Sequence, residues 1–307
     1  MPFHRGATLP VAATLGHAES STHGPTAGNG FYKRWPDDLA LLSDVGVTDL
    51  RLTFDWARLQ PKPGEFSGDW SERYENILEA ADAVGIRVWA TMHDEGVPKW
   101  FGNEGGLDDV DAVVRWWPRW VERVAERFGD DVHGWIPFAV VPGDLPSQAW
   151  TDTWQILGGG DSPVAISLQA RDGFARVGEL LDSCDVVGVA LETLLDDEEI
   201  PDDAALTTAS ERWEQALHDA ADAADGTALV VSQFTPHHVE PDVGGRIVDR
   251  FVTVVDSVVD DGIELTTCFL DPGIAGPEFP LGIIDRDRTP QPAADAYFVA
   301  PVVDEDD

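Results

Sequence analysis

Eight apolar runs of strand length alternate with stretches of helical period along this 307-residue chain. They occupy residues 6–15, 48–56, 86–94, 133–141, 163–169, 185–192, 227–234 and 263–271. Most are continuously apolar, as expected of parallel strands covered by helices on both faces. The pattern predicts an α/β protein with a single (β/α)8 barrel over residues 1–302 and an acidic tail at 303–307, with a doubly wound open sheet as the second possibility.

The stretches between the runs have the spacing of amphipathic helices. In residues 71–85, one helical face carries Tyr74, Ile77, Leu78 and Ala81. Residues 108–129 predict the longest helix, with a kink at Pro118. Its predicted buried stripe consists of Val110, Val113, Val114, Trp117, Val121 and Val124. Helical spacing also assigns Trp116, Trp117 and Trp120 to packing rather than to ligand binding.

The charge of the chain excludes some classes of partner. There are 57 acidic and 20 basic residues, which gives a formal net charge of −37. This balance argues against nucleic acid or an anionic membrane as a partner. Together with ordinary hydrophobic content, it indicates a folded cytoplasmic protein with a hydrated acidic surface, adapted to high salt. Molar salt shortens the Debye length to about 3 Å, so added KCl is expected to stabilise the fold.

Two further features concern compartment and redox chemistry. The amino-terminal residues 1–20 are interrupted by proline and glycine, which predicts a first strand rather than a signal peptide. Nowhere does an apolar run approach the ~18 residues of a membrane span. Cys184 and Cys268 lie in or beside apolar runs, so both are expected to be buried, inert thiols.

Several segments resemble glycoside hydrolase family 1, the family of retaining β-glucosidases and β-galactosidases. Residues 37–66 resemble its helix, second strand and P-x-x-G-x-F turn, and residues 90–101, "ATMHDEGVPKWF", resemble T-L-H-H-F-T-L-P-x-W-F. Residues 105–138 and 281–298 resemble two further family segments, whereas residues 144–225 are shortened and match poorly. The resemblance implies a barrel whose site lies at the carboxyl ends of the strands.

In that family, two glutamates follow strands four and seven, in T-F-N-E-P and T-E-N-G. A retaining mechanism needs both, one as the acid and the other as the nucleophile, about 5 Å apart. Alignment on Trp135 places Val140 at the acid position, and alignment on the proline places Val141 there. Gln233 falls at the nucleophile position, where a neutral amide is a very poor nucleophile. The resemblance therefore implies that the ordinary mechanism cannot run.

The resemblance also assigns candidate ligand-binding residues. Arg51 matches the arginine beside the nucleophile, and His93 matches a histidine that contacts the sugar. His17 stands at a sugar-binding glutamine, and Glu192 replaces a tyrosine near the nucleophile. We hypothesise that Glu192 pairs with Arg51 beside Gln233. Its carboxylate is then a candidate for a catalytic role, but we favour a structural ion pair over catalysis.

Other polar and aromatic residues are expected at the same end of the barrel. Trp100 is a candidate for lining the pocket mouth. The histidines and acids expected at this end are His17, His93, Asp94, Glu95, His237 and His238. Such a mixture suits metals, but its spacing matches no compact metal motif. We therefore predict no metal and no cofactor, with Asp94 as a ligand-binding residue.

Three functions stay open from the sequence. The first is a non-hydrolytic pseudoenzyme that binds a carbohydrate, a glycosylated ligand or a protein partner. The second is an active hydrolase with relocated carboxylates, for which Glu192, Asp94 and Glu95 are candidates. The third is a structural or regulatory subunit whose pocket is filled by Val140, Leu191 and Phe234. Ligand identity and oligomeric state are left undetermined.

Overall fold

The computed structural model describes residues 3–15, 28–193, 195, 200–236, 240–277 and 282–298. Eight strands form one sheet: β1 His4–Leu9, β2 Asp49–Thr53, β3 Arg87–Thr91, β4 Gly134–Trp135, β5 Ala165–Gln169, β6 Val186–Glu192, β7 Leu229–Thr235 and β8 Leu265–Leu270. Their order is β4-β3-β2-β1-β8-β7-β6-β5, and the paired strands are parallel. A parallel bridge between Trp135 and Val164 joins the two edges, so the sheet is a nearly closed barrel. The predicted (β/α)8 fold is confirmed.

Helices surround the barrel between successive strands. They are α1 Val11–Leu15, α2 Phe31–Asp44, α3 Trp56–Leu59, α4 Gly68–Ala83, α5 Lys99–Gly102, α6 Val110–Phe128, α7 Ser147–Leu157, α8 Val177–Leu180, α9 Asp203–Ala224, α10 Pro241–Asp260 and α11 Pro292–Phe298. Helices α4, α6 and α9 begin after Ser67, Asp109 and Asp202, whose side-chain oxygens accept a backbone N–H three residues on. These caps satisfy amides that the first helical turn leaves without partners. Within the described residues, none of the helices has the length and apolar character to cross a bilayer.

Two details of the predicted elements are wrong. Residues 11–15 form the short helix α1 instead of continuing the first strand. In α6, Val110 is 58% exposed and Val114 is 43% exposed, because the buried stripe runs through Val113, Trp117, Trp120, Val121, Val124 and Phe128. Val110 is the first residue of α6, and Val114 lies at the edge of the buried stripe. Helix α6 continues through Pro118 without interruption.

The barrel interior towards the amino-terminal ends of the strands is closed by aromatic rings. Its buried cluster consists of Trp89, Ile136, Ala165, Val186, Val230 and Phe269. A Cβ atom at Gly134 would lie 2.6 Å from the Trp89 ring, and one at Gly6 would lie 2.6 Å from the Phe269 ring. Glycine is therefore required beside each ring, because real Cβ contacts are not that short.

A buried ion pair connects the two ends of the described chain. Arg288 Nη2 donates to Asp38 Oδ2 at 2.7 Å, and Arg288 Nε donates to Asp38 Oδ1 at 2.8 Å. Asp38, on α2, is fully buried, and the Arg288 side chain is 8% exposed. The bidentate pair fixes the position of the segment before α11 against α2, because loss of one partner would leave the other charge buried and unpaired.

Candidate functional site

A buried carboxylate lies at the carboxyl end of β8. Asp271 is 2% exposed and accepts hydrogen bonds from the Thr8 hydroxyl, from Thr235 Oγ1 at 3.0 Å and from Gln233 Nε2 at 3.1 Å. Burial raises the pKa of Asp271 above its usual range, although the Arg51 guanidinium opposes this rise. The carboxyl ends of β1, β7 and β8 thus share one polar network around Asp271.

The side-chain amide of Gln233 is held inside this network. Its Oε1 accepts from Arg51 Nη2 at 3.1 Å, while its Nε2 donates to Asp271 Oδ2 at 3.1 Å and to Thr235 Oγ1 at 3.2 Å. Arg51 is 1% exposed and donates from Nη1 to the Ser232 carbonyl at 2.9 Å. Both the acceptor and the donor side of the amide are therefore engaged. The expected proximity of Arg51 and Gln233 is confirmed.

The wall that follows β4 carries no carboxylate at the predicted acid position. Val140 is partly exposed, whereas Ala139 and Val141 are buried. Backbone hydrogen bonds fix this wall, from the Ala139 amide to the His93 carbonyl at 2.8 Å and from the Val141 amide to the Ser167 carbonyl at 2.7 Å. Neither alignment of the acid position therefore brings a proton donor into the wall.

His93 and Asp94 follow β3 at the same end of the barrel. Burial lowers the pKa of His93 to about 4, although the Asp94 carboxylate opposes the shift, so the imidazole is neutral at pH 7. Asp94 Oδ2 accepts from the Val11 amide at 3.1 Å and from Thr53 Oγ1 at 3.2 Å. With Glu95 they line a cavity of about 10 Å³, which is comparable to the space of a single water.

The predicted pairing of Glu192 with Arg51 is wrong. Glu192 Oε1 accepts from Arg171 Nη1 at 2.6 Å, and its side chain is 40% exposed. Strand register explains the difference, because Gln169 on β5 pairs with Ala190 on β6 and so brings the following Arg171 beside Glu192. Glu192 therefore belongs to a surface ion pair rather than to the network around Gln233.

The predicted filling of the pocket by Phe234 is also wrong. Its ring stacks on Phe251 of α10 at a centroid distance of 3.8 Å and meets Trp213 of α9 edge-on at 5.1 Å. Successive side chains of a strand point to opposite faces, so Gln233 on the inner face requires Phe234 on the outer one. Phe234 therefore packs between the barrel and its helices.

The tryptophans and histidines that were predicted near the site can be compared with the structure one by one. Trp100 is partly buried, donates from Nε1 to the Gln60 carbonyl at 2.9 Å and contacts Trp116 at a centroid distance of 4.9 Å. Its role at a pocket mouth stays a prediction. The burial expected for Trp117 and Trp120 is confirmed. His17, His237 and His238 lie outside the described residues, as does the acidic tail.

The two cysteines and the possible metal ligands can be placed as well. Cys184 and Cys268 are buried and free, and burial raises the pKa of the Cys184 thiol to about 12. Among the residues that the structure describes, metal-ligand spacing occurs in Glu214, His218 and Asp261. These residues lie on α9 and at the end of α10, not in the network around Gln233.

Comparison with known proteins accounts for this arrangement. A family model described as glycosyl hydrolase family 1 matches residues 13–141. The chain is thus similar to glycosyl hydrolase family 1 over these residues, which make up less than half of its length. It is 24% identical over 139 residues to beta-glucosidase A of Thermotoga maritima, which covers 44% of this chain and 31% of the relative. Over 135 residues it is 30% identical to a bifunctional beta-D-glucosidase/beta-D-fucosidase of Bifidobacterium breve, which covers 42% of this chain and 29% of the relative. The matches thus span less than a third of these relatives.

Solved family 1 structures show the same fold over nearly the whole chain. The family 1 β-glucosidase from Thermotoga maritima has a TM-score of 0.77 at 13% identity and covers 97% of both chains. A beta-glycosidase from Pyrococcus horikoshii has a TM-score of 0.76 at 16% identity and covers 97% of this chain and 95% of its own. At such low identity, the likeness establishes the barrel alone.

The region matched by the family 1 model includes Arg51, His93 and the wall at Val140, but it ends before β7 and Gln233. Sequence reasoning missed Asp271, which receives more side-chain hydrogen bonds than the acids that were chosen. The available signal was its place directly after a strand, since barrel sites form at the carboxyl ends of strands.

Proposed function

We propose that this protein is a non-hydrolytic pseudoglycosidase that binds a carbohydrate or glycosylated ligand at the carboxyl-terminal face of its barrel. The observation that carries the proposal is the Gln233 amide, hydrogen-bonded to Arg51, Thr235 and Asp271 at the predicted nucleophile position. A retaining glycosidase needs a carboxylate there to attack the anomeric carbon. An amide offers no negative charge for this attack.

The acid side of the site supports the same proposal. Val140 and Val141 have no proton to give to a leaving oxygen, so neither candidate for the acid position can assist departure of the aglycone. Loss of general acid catalysis alone typically removes about two to four orders of magnitude in rate. The two changes remove complementary halves of one mechanism.

Ligand binding is supported by polar groups that stay at this face. His93 is neutral at pH 7, so its imidazole can both donate to and accept from a hydroxyl group. Asp94 adds a partly exposed acceptor. Neutral hydroxyl-rich ligands suit such groups without the repulsion that the net charge of −37 would impose on an anion.

One observation favours a second candidate, a hydrolase with relocated carboxylates. The pKa of Asp271 is raised, first by burial and in part by the neighbouring Asp94 carboxylate. A carboxyl group whose pKa is raised can keep the proton that a general acid has to deliver. The relocated acid would then be Asp271, since Glu192 is paired with Arg171 at the surface.

Aryl β-glucosides and β-galactosides at fixed KCl concentration separate these functions. We expect no turnover by the wild type above that of the Gln233→Leu variant, and a gain of activity in Val140→Glu/Gln233→Glu. Wild-type turnover that is lost in Asp271→Asn would instead support the second candidate. Robust wild-type turnover that survives Asp271→Asn and Asp94→Asn would overturn both.

Binding is measured separately by saturation-transfer NMR with glucose, galactose and cellobiose. We expect saturable binding that Gln233→Leu weakens by roughly tenfold, because a hydrogen-bonded group in a polar site is lost. Gln215→Leu on α9 is the matched control, because Gln215 bonds to Asp219 at the surface. Equal binding by the two variants, or no saturable binding by the wild type, would contradict the binding proposal.

A further inference from the structure

A second cavity opens at the opposite, amino-terminal end of the barrel. Its volume is about 810 Å³, within the range of small-molecule pockets. The apolar part of its lining includes Trp89, Val186, Val259, Ile263 and Leu265. Trp89 also belongs to the cluster that closes the barrel interior, so the indole separates this cavity from the site around Gln233. The cavity is therefore independent of the proposed sugar site.

A fully buried carboxylate fixes the polar side of this cavity. Asp49 accepts both hydrogen bonds of Arg87 Nη2, at 2.8 and 2.9 Å, together with bonds from Trp89 Nε1 at 3.1 Å and Thr48 Oγ1 at 2.8 Å. His4 Nδ1 lies 3.7 Å from Asp49 Oδ2. Arg87 and the Trp89 indole are thereby held in place before any ligand arrives, which reduces the entropy lost on binding.

The cavity lining has unused capacity to bind an anion. Arg87 is 35% exposed, and its hydrogen bonds within the described part of the chain leave the N–H groups of Nε and Nη1 available. His4 and His133 line the same cavity, and the rim includes one carboxylate, Glu264. Three basic side chains thus line one cavity of a protein whose net charge is −37.

We propose that this cavity binds a small aromatic carboxylate, with its ring against Trp89 and the apolar wall and its carboxylate on Arg87. An N–H group of a guanidinium donates a strong, charge-assisted hydrogen bond to a carboxylate, and a flat apolar wall favours a flat apolar body. A purely apolar ligand would not use the available N–H groups of Arg87. A purely inorganic anion would not use the apolar wall.

His133 couples this binding to pH. Its ring meets Trp89 edge-on at a centroid distance of 5.4 Å. Burial lowers the pKa of His133, the Arg87 guanidinium lowers it further, Asp49 opposes the shift, and the neighbouring His4 has a smaller lowering effect. A bound carboxylate favours the protonated imidazole, so the ligand raises this pKa and binds more tightly as the pH falls below the usual range of histidine.

The test uses benzoate as the probe and benzamide as its neutral isostere, followed by calorimetry and by the NMR titration of His133 at one ionic strength. We expect benzoate to bind at least about tenfold more tightly than benzamide and to raise the pKa of His133. Arg87→Gln should abolish the preference for benzoate. Ile263→Trp should weaken both probes by filling the cavity, and the exposed Arg123→Gln on α6 should change neither.

Ile263→Trp also guards against a folding artefact, because Arg87→Gln removes a partner of buried Asp49 whereas Ile263→Trp leaves that group intact. Equal affinity for the two probes would overturn the proposal. So would benzoate binding weaker than about 10 mM, or binding that is unchanged in both the Arg87 and the Ile263 variants. None of these outcomes bears on the sugar site, because the probes and variants lie at the other end of the barrel.

Discussion

Acidification is expected to destabilise this protein through His93. The pKa of His93 in the folded state is lowered to about 4, mainly by burial, whereas an unfolded histidine has a pKa of about 6.5. The folded state therefore binds this proton less well than the unfolded state. The contribution of His93 to stability is fully present above pH 6.5 and is lost as the pH falls towards 4.

The size of the effect follows from the difference between the two pKa values. A difference of about 2.5 between the two pKa values, at about 1.4 kcal/mol for each pKa unit, gives an upper value of roughly 3.5 kcal/mol. His93 as a whole residue is partly exposed, so solvent screening reduces this value, and we expect about 1–3 kcal/mol. The part of this loss that occurs between pH 7 and pH 5 should appear as a lower midpoint of urea unfolding.

The assay is urea unfolding of the wild type and His93→Gln at a series of pH values and fixed KCl. Protonation of the many carboxylates affects both proteins, so the difference between them isolates the histidine. His218→Gln is the control, because that imidazole lies on the outside of α9 and is 37% exposed. The reasoning is refuted if His93→Gln loses stability with the same pH slope as the wild type.

Three further predictions concern stability. Arg288→Met should cost about 3–5 kcal/mol in urea unfolding because it leaves buried Asp38 unpaired, and Asp38→Leu/Arg288→Met should recover much of the loss; no recovery would contradict this. Gly134→Ala should cost about 1–3 kcal/mol because its Cβ would meet the Trp89 ring, while Gly159→Ala has open space and should cost under about 1 kcal/mol; equal costs would exclude the steric reason. Raising KCl from about 0.1 to 1 M should raise the thermal midpoint by several degrees, since screening relieves repulsion within a charge of −37; a constant or falling midpoint would argue against it.

The fold was predictable because most of the eight strand-length runs are mainly apolar and alternate with stretches of helical period. Such runs fit a parallel sheet with helices on both faces, whatever the local loops do. The exposure of Val110 and Val114 was not predictable from spacing alone, because a valine at the edge of a helical stripe satisfies the same periodicity as one at its centre. Tertiary contacts decide which edge is covered.

The site was predictable only where the strand position fixed a residue. Arg51 and Gln233 meet because both lie on inward-facing strand positions of one barrel. The partner of Glu192 depended on the loop after β5, where no periodicity indicated Arg171. Asp271 resembled any acid after a strand until Thr8, Thr235 and Gln233 were seen to donate to it.

The junction of β4 with β5 has a consequence for any attempt to restore catalysis. Neighbouring strands elsewhere share a ladder of backbone pairs, but β4 has two residues and meets the next strand's region through the bridge of Trp135 with Val164. A general acid must be held to within about half an ångström of its working position. A glutamate introduced at Val140 would stand beside this junction in the barrel wall, so the activity gained by Val140→Glu/Gln233→Glu should rise further when the pairing of β4 with β5 is extended.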